Sequence, residues 1–166
     1  MEFTSAFNLQ EIKNRFFPER TKNTYQLPFP QDTHLDGIET EGPSHKGPFR
    51  GAVDFIVPLG TKILAPLDGV VIEVVDRNFR FGDSDEFVDD LNYITIKHSN
   101  GEYSQPAHLE MGSAKVKVGD RVVAGQELGV TGNSGWMDKP HLHLLIFRLD
   151  SSNSKGFKGL KIRFNK

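Results

Sequence analysis

Cysteine is absent from this 166-residue chain, which removes disulfide frameworks, thiolate metal sites and cysteine nucleophiles together. Any metal must therefore bind through nitrogen and oxygen, and the compartment stays open, because a cysteine-free chain suits reducing and oxidising surroundings alike. Charge of one sign is also scarce. A formal net charge of -2 offers no field for nucleic acid, and the aromatics are 13 Phe against 3 Tyr and 1 Trp, a poor stacking set. Nucleic acid is thus not an expected partner. No apolar run approaches the length of a membrane span, and Met1-Glu2-Phe3-Thr4-Ser5 has neither a basic start nor an uninterrupted apolar stretch. A soluble chain without a membrane span is expected, although a removed signal would leave no trace. The length suits one domain with a core that needs no covalent staples.

What is present is mostly strand and turn. Near the N-terminus Asn8 and Glu11 have capping-box spacing, Phe7 and Ile12 have staple spacing, and Leu9, Ile12 and Phe16 share a helical face before Pro18. That predicts a short helix. Residues 21 to 47 are rich in Pro, Asp, Thr and Gly with little periodicity, and read as an irregular segment covering an edge or groove. Strand signals follow at 52–57, 62–65, 69–75, 93–97, 115–118, 121–123, 127–130 and 141–148, with Gly- and Asx-bearing turns between them. The pattern predicts an all-β domain, an antiparallel sandwich or barrel, behind a short helical or irregular N-terminal extension. Residues 77 to 91 break the rhythm and read as a long excursion of the kind that shapes clefts. Acidic residues crowd 83 to 90 and basic residues crowd 155 to 166. Such runs are most often solvated faces, with an acidic substrate rim or an anionic-polymer patch as the alternatives.

Chemistry concentrates in Pro140-His141-Leu142-His143-Leu144-Leu145-Ile146-Phe147. Two imidazoles two residues apart on a strand face the same way. The apolar flanks predict burial on both faces, where two histidines are costly unless metal or hydrogen bonds satisfy them. Asp54, inside Ala52-Val53-Asp54-Phe55-Ile56-Val57, is a carboxylate in an apolar strand and demands a partner. Backbone amides or Arg50 would serve as well as a metal.

Several ordered blocks resemble peptidase family M23, the zinc metallopeptidases of the lysostaphin and LytM type. They are Ser44-His45-Lys46-Gly47, Ala52-Val53-Asp54-Phe55, Val57-Pro58-Leu59-Gly60-Thr61 and Ala65-Pro66-Leu67-Asp68-Gly69, followed by Asn92-Tyr93-Ile94-Thr95-Ile96-Lys97-His98 and Ala107-His108-Leu109. Gly119-Asp120-Arg121-Val122, Gly132-Asn133-Ser134-Gly135 and Pro140-His141-Leu142-His143 close the series. The resemblance runs from about Ser44 to Arg148. It implies a LytM-type, barrel-sandwich-hybrid-like domain over 45–166, with 1–44 as an extension wrapping it. It also implies that His45, Asp54 and His143 ligate one zinc per chain while His108 and His141 flank the water it activates. Two imidazoles and a carboxylate suit tetrahedral zinc and leave its fourth position open. The implied function is endopeptidase cleavage of peptidoglycan cross-links or bridges by a monomer that is secreted, periplasmic or bound to the cell wall.

The departures are as informative. Many family members place the first histidine four residues before the aspartate, where this chain has Arg50. His45, nine positions before Asp54, fits a subgroup with a longer interval. Two positions before His108 the family usually has tyrosine, whereas Pro106 stands here, and Trp136-Met137-Asp138-Lys139 replaces a turn of small residues. These changes touch cleft walls and leave the proposed ligands intact. For Trp136 a rim aromatic and a substrate contact are both open, as are a turn role and a groove contact for Asn133. His34 and His98 read as surface or hydrogen-bonded histidines. A non-catalytic module on the same scaffold, such as a cell-wall amidase activator, is the alternative from another class. A phosphocarrier or lipoyl-like hybrid barrel is a third, with no use for His45 and Asp54.

Overall fold

The computed structural model describes residues 18–166, so the short helix expected over residues 8 to 16 lies outside the described residues. Among the described residues, twelve strands follow one another: β1 (Gly37–Glu39), β2 (Val53–Ile56), β3 (Lys62–Leu64), β4 (Gly69–Val75), β5 (Phe81–Gly82), β6 (Tyr93–Lys97), β7 (Tyr103–Ala107), β8 (Arg121–Val122), β9 (Glu127–Val130), β10 (Gly135–Trp136), β11 (Leu142–Leu149) and β12 (Phe157–Gly159). The main sheet is antiparallel, in the order β1-β2-β11-β7-β6-β4-β8, with β12 on the far end of β11. β3 pairs with β9 and, in parallel, β5 pairs with β10. The expected all-β, antiparallel architecture is the one observed.

β11 explains why its sequence is apolar on both faces. Leu142, Leu144 and Ile146 enter the principal core with Val53, Phe55, Ile94 and Ile96. On the opposite face Leu145 and Phe147 pack with Ala52 and Tyr103. His143 shares that second face by the period-two alternation of a strand.

Two expectations differ from the structure. Residues 115–118 form a loop rather than a strand, held to β9 by the Lys115 N–H on the Leu128 carbonyl. The central strand β7 carries Pro106, a residue that argues against a central strand because it has no N–H to give. Paired positions between β6 and β7 are Tyr93 with Ala107, Ile96 with Ser104 and Lys97 with Tyr103, which leaves the proline out of that ladder. On its other side Pro106 lies opposite Leu144.

The segment before β2 runs along the edge of the sheet and beside the C-terminal residues. β1 lies along β2, Arg20 and Tyr25 form parallel bridges to Lys161 and Phe164, and Tyr25 and Phe29 are buried in the principal core. The buried Glu102 accepts bonds from the Lys22 and Asn23 N–H groups and from the Tyr25 hydroxyl.

Candidate metal centre and its flanking histidines

One row of residues crosses the middle of the sheet in register. Glu39 on β1 lies opposite Asp54 on β2, Asp54 opposite His143 on β11, and His143 opposite Ala107 on β7. Directly opposed side chains share a face, so Asp54 and His143 meet. His108 follows the end of β7 and His141 precedes β11. His45 comes in from the short 3-10 turn Pro43–His45. All five residues singled out from the sequence are thus brought together, and all are buried.

The carboxylate of Asp54 is the common partner. His143 Nδ1 lies 2.7 Å from its Oδ1, His45 Nε2 3.1 Å from its Oδ2, and His141 Nε2 3.8 Å from that same oxygen. One donor atom each from His45, Asp54 and His143 fall within 4.8 Å of one another. The His45 and His143 rings are 5.4 Å apart, and the His108 and His141 rings 4.4 Å apart, edge to face. Burial pushes the Asp54 carboxyl up, but the hydrogen bond from His143, the close approach of His45 and the charges of His143 and His141 outweigh it and hold it well below the usual carboxylate range. Burial likewise pushes His45 down, and Asp54 reverses this to a net upward shift. His108 has no such counterion in contact. Burial, then the neighbouring His141, pushes it down to about 3.

Backbone carbonyls orient the two flanking rings. His108 Nδ1 donates to the Ser134 carbonyl at 2.7 Å and His141 Nδ1 to the Lys139 carbonyl at 2.8 Å. A carbonyl only accepts, so in both rings Nδ1 carries the hydrogen, and in the neutral ring Nε2 is the nitrogen left with a lone pair. His108 itself has a left-handed backbone, φ 65°, uncommon for a residue with a side chain. Its carbonyl accepts the Gly132 N–H at 2.8 Å. A Cβ on Gly132 would stand 2.3 Å from Glu110 Cα, so only glycine permits that approach.

The donor set fits a divalent cation. Tetrahedral zinc with ligand bonds of about 2.0–2.2 Å needs donors roughly 3.4 Å apart, close to the spacing around Asp54. Both ring nitrogens of His45 are buried without a hydrogen bond of good geometry, even though Nε2 is near Asp54. A buried polar atom in that state calls for a partner.

The other singled-out residues fall elsewhere. His34 is exposed and 3.2 Å from Asp36. His98 is buried, with Nδ1 on the Asp68 carbonyl and Nε2 on the Ser104 hydroxyl. Trp136 lies on β10 opposite Gly82 of β5, within the 77–91 excursion's strand pairing. Arg50 follows the turn Gly47–Phe49. The orienting carbonyls of Ser134 and Lys139 carried no signal, because a backbone acceptor is available at every position.

A model of peptidase family M23 matches residues 48–155, well over half of the chain, and the protein belongs to that family. The match includes Asp54, His108, His141 and His143; His45 lies just before it. The glycyl-glycine endopeptidase ALE-1 of Staphylococcus capitis is 34% identical over 132 residues, covering 80% of this chain and 32% of that protein. The peptidoglycan DD-endopeptidase ShyA of Vibrio cholerae is 37% identical over 94 residues, covering 57% of this chain and 19% of its own. The chain therefore spans a third or less of these curated relatives. A solved structure of a putative peptidase M23 from Pseudomonas aeruginosa shares 27% identity with a TM-score of 0.51, over 83% of this chain and 52% of that one.

Proposed function

We propose that this protein is a zinc-dependent endopeptidase acting on the peptides of peptidoglycan. The observation that carries the reading is the meeting of His45 and His143 on Asp54, beside His108 and His141, whose rings lie edge to face 4.4 Å apart with each Nδ1 held by a backbone carbonyl. Relatives named as peptidoglycan and glycyl-glycine endopeptidases support the substrate class. Residues 45–166 form the peptidase domain in this reading and 1–44 its wrapping extension. The chain works as a monomer at or outside the cell envelope.

His45, Asp54 and His143 would hold the ion. When bound, zinc supplies Lewis acidity, polarising the scissile carbonyl and lowering the pKa of water toward ~7. His141 takes the proton of the attacking water at Nε2, which lies 3.8 Å from the Asp54 carboxylate. His108 stays neutral at rest, because burial disfavours its cation, and the proton that His141 took from the water is relayed through the His108 ring, centred 4.4 Å from that of His141, to the departing amine. The carbonyls of Ser134 and Lys139 keep both rings aimed while protons move.

The test is metal analysis of the gently purified chain, followed by its incubation with cell walls of different bridge chemistry and mass spectrometry of the released ends. About one zinc per chain and new amino termini within the wall peptides are expected. A zinc-loaded, folded protein that releases no ends from any wall would overturn the peptidase reading in favour of a non-catalytic module.

A further inference from the structure

We propose that Asn92 is a positioning residue for His108, gripping the backbone beside that histidine and tying it to the 77–91 excursion. The proposal rests on the reading of His108 as a proton-transfer group.

Asn92 and Ser134 are both fully buried polar residues, and neither is part of the metal cluster. The Asn92 side chain is saturated in one orientation. Its Oδ1 accepts the Asn78 N–H at 3.0 Å, while Nδ2 donates to the Asn78 carbonyl at 2.8 Å and to the Leu109 carbonyl at 3.2 Å. Its backbone grips the same places: the Asn92 carbonyl accepts the Leu109 N–H at 3.3 Å, and the Asn92 N–H donates to Ser134 Oγ at 3.2 Å. Ser134 Oγ in turn donates to the Leu109 carbonyl at 3.0 Å. Leu109, the residue after His108, is therefore held at both its N–H and its carbonyl. Ser134, whose carbonyl orients the His108 ring, is tied to the same hub.

This arrangement accounts for the backbone of His108. A left-handed non-glycine residue costs on the order of 1–3 kcal/mol and persists only where its surroundings over-determine it. Here Gly132 holds the carbonyl of His108, Ser134 its ring, and Asn92 the residue that follows. Only an amide meets the requirement at Asn92, which is one acceptor and two donors on a short stem. Aspartate offers no donors, serine too few, and glutamine is longer. The excursion joins through Asn78, whose side chain also donates to the Leu91 carbonyl at 3.2 Å. The two ends of the 77–91 excursion and the proton-transfer histidine thus share one fixed point.

Asn92→Ser and Ser134→Ala in the full chain test this. Ser134→Ala removes the hydroxyl while leaving the carbonyl that meets His108, and it decides the question if Asn92→Ser does not fold. Each folded variant should retain wild-type zinc, leave KM within about twofold and lower kcat by ~10- to 100-fold, the cost of a misplaced group. In the metal-free protein, long-range proton–nitrogen NMR of the histidines should show His108 as a single Nδ1–H tautomer in wild type and a mixture in the variants. A merely structural role would lower stability without moving tautomer or kcat. Unchanged kcat with an unchanged His108 tautomer would overturn the proposal. A tautomer change in a protein that cleaves no wall would instead uphold the positioning and count against the peptidase reading.

Discussion

Asp54 shows how one side chain can organise a site: buried among three imidazoles, it is stable as an anion only because they face it. Asp54→Ala should abolish zinc retention, measured as metal per chain after purification, because His45 and His143 lose the ligand between them. His141→Ala should keep the metal and reduce turnover by ~10²–10⁴-fold, the usual worth of a positioned acid or base. Equal metal loss in both variants would contradict this division. Gly132 is the residue on which the His108 loop closes. Gly132→Ala forces a Cβ against Glu110 and should cost about 1–3 kcal/mol in urea denaturation, with activity falling alongside. The five residues that the structure gathers around Asp54 were all visible in the chain, as family motifs or as polar residues in apolar surroundings. The tautomers of His108 and His141 were not, because the carbonyls that fix them leave no mark on composition.

At the scale of elements, β4, β6 and β9 formed where the alternation placed them, and β2, β3, β8 and β11 within a residue or two. β7 was missed because Pro106 masks it, and the structure accommodates the proline by leaving that position out of the β6 ladder. The segment before β2 is held by the buried Glu102, which joins Lys22, Asn23 and Tyr25 to the hairpin after β6. Glu102→Ala leaves two backbone donors and a phenol without their acceptor. A loss of about 3 kcal/mol is expected in urea denaturation, together with faster proteolysis between residues 18 and 30. An unchanged cleavage pattern would show that the core contacts of Tyr25 and Phe29 suffice alone.

For the whole molecule, the buried histidines set the response to acid. Burial lowers His98 below its ordinary value, only partly offset by its bond to the Asp68 carbonyl and by the charge of Glu102. The unfolded chain therefore takes up a proton near pH ~6.5 that the fold resists. The stability this contributes is complete above that pH and is lost as pH falls toward the lower folded value. His108 acts in the same direction down to about 3, whereas the upward shift of His45 opposes it. The difference between wild type and His98→Gln isolates the effect: in the metal-free protein the variant should lose less stability between pH 7 and pH 5, read from urea midpoints. Parallel curves would remove His98 from the account.

By itself the sequence determined the β-rich class, the nitrogen and oxygen character of any metal site, and the shared face of His141 and His143, since each follows from residue identity and a period of two. Only the tertiary structure decided that β2 and β11 meet in the register that sets Asp54 against His143, that His45 reaches them from a separate turn, and that Asn92 grips the backbone beside His108. Those relations depend on which distant strands pair and how loops close, and hydrogen bonds between far-apart backbone groups are not written in any local pattern.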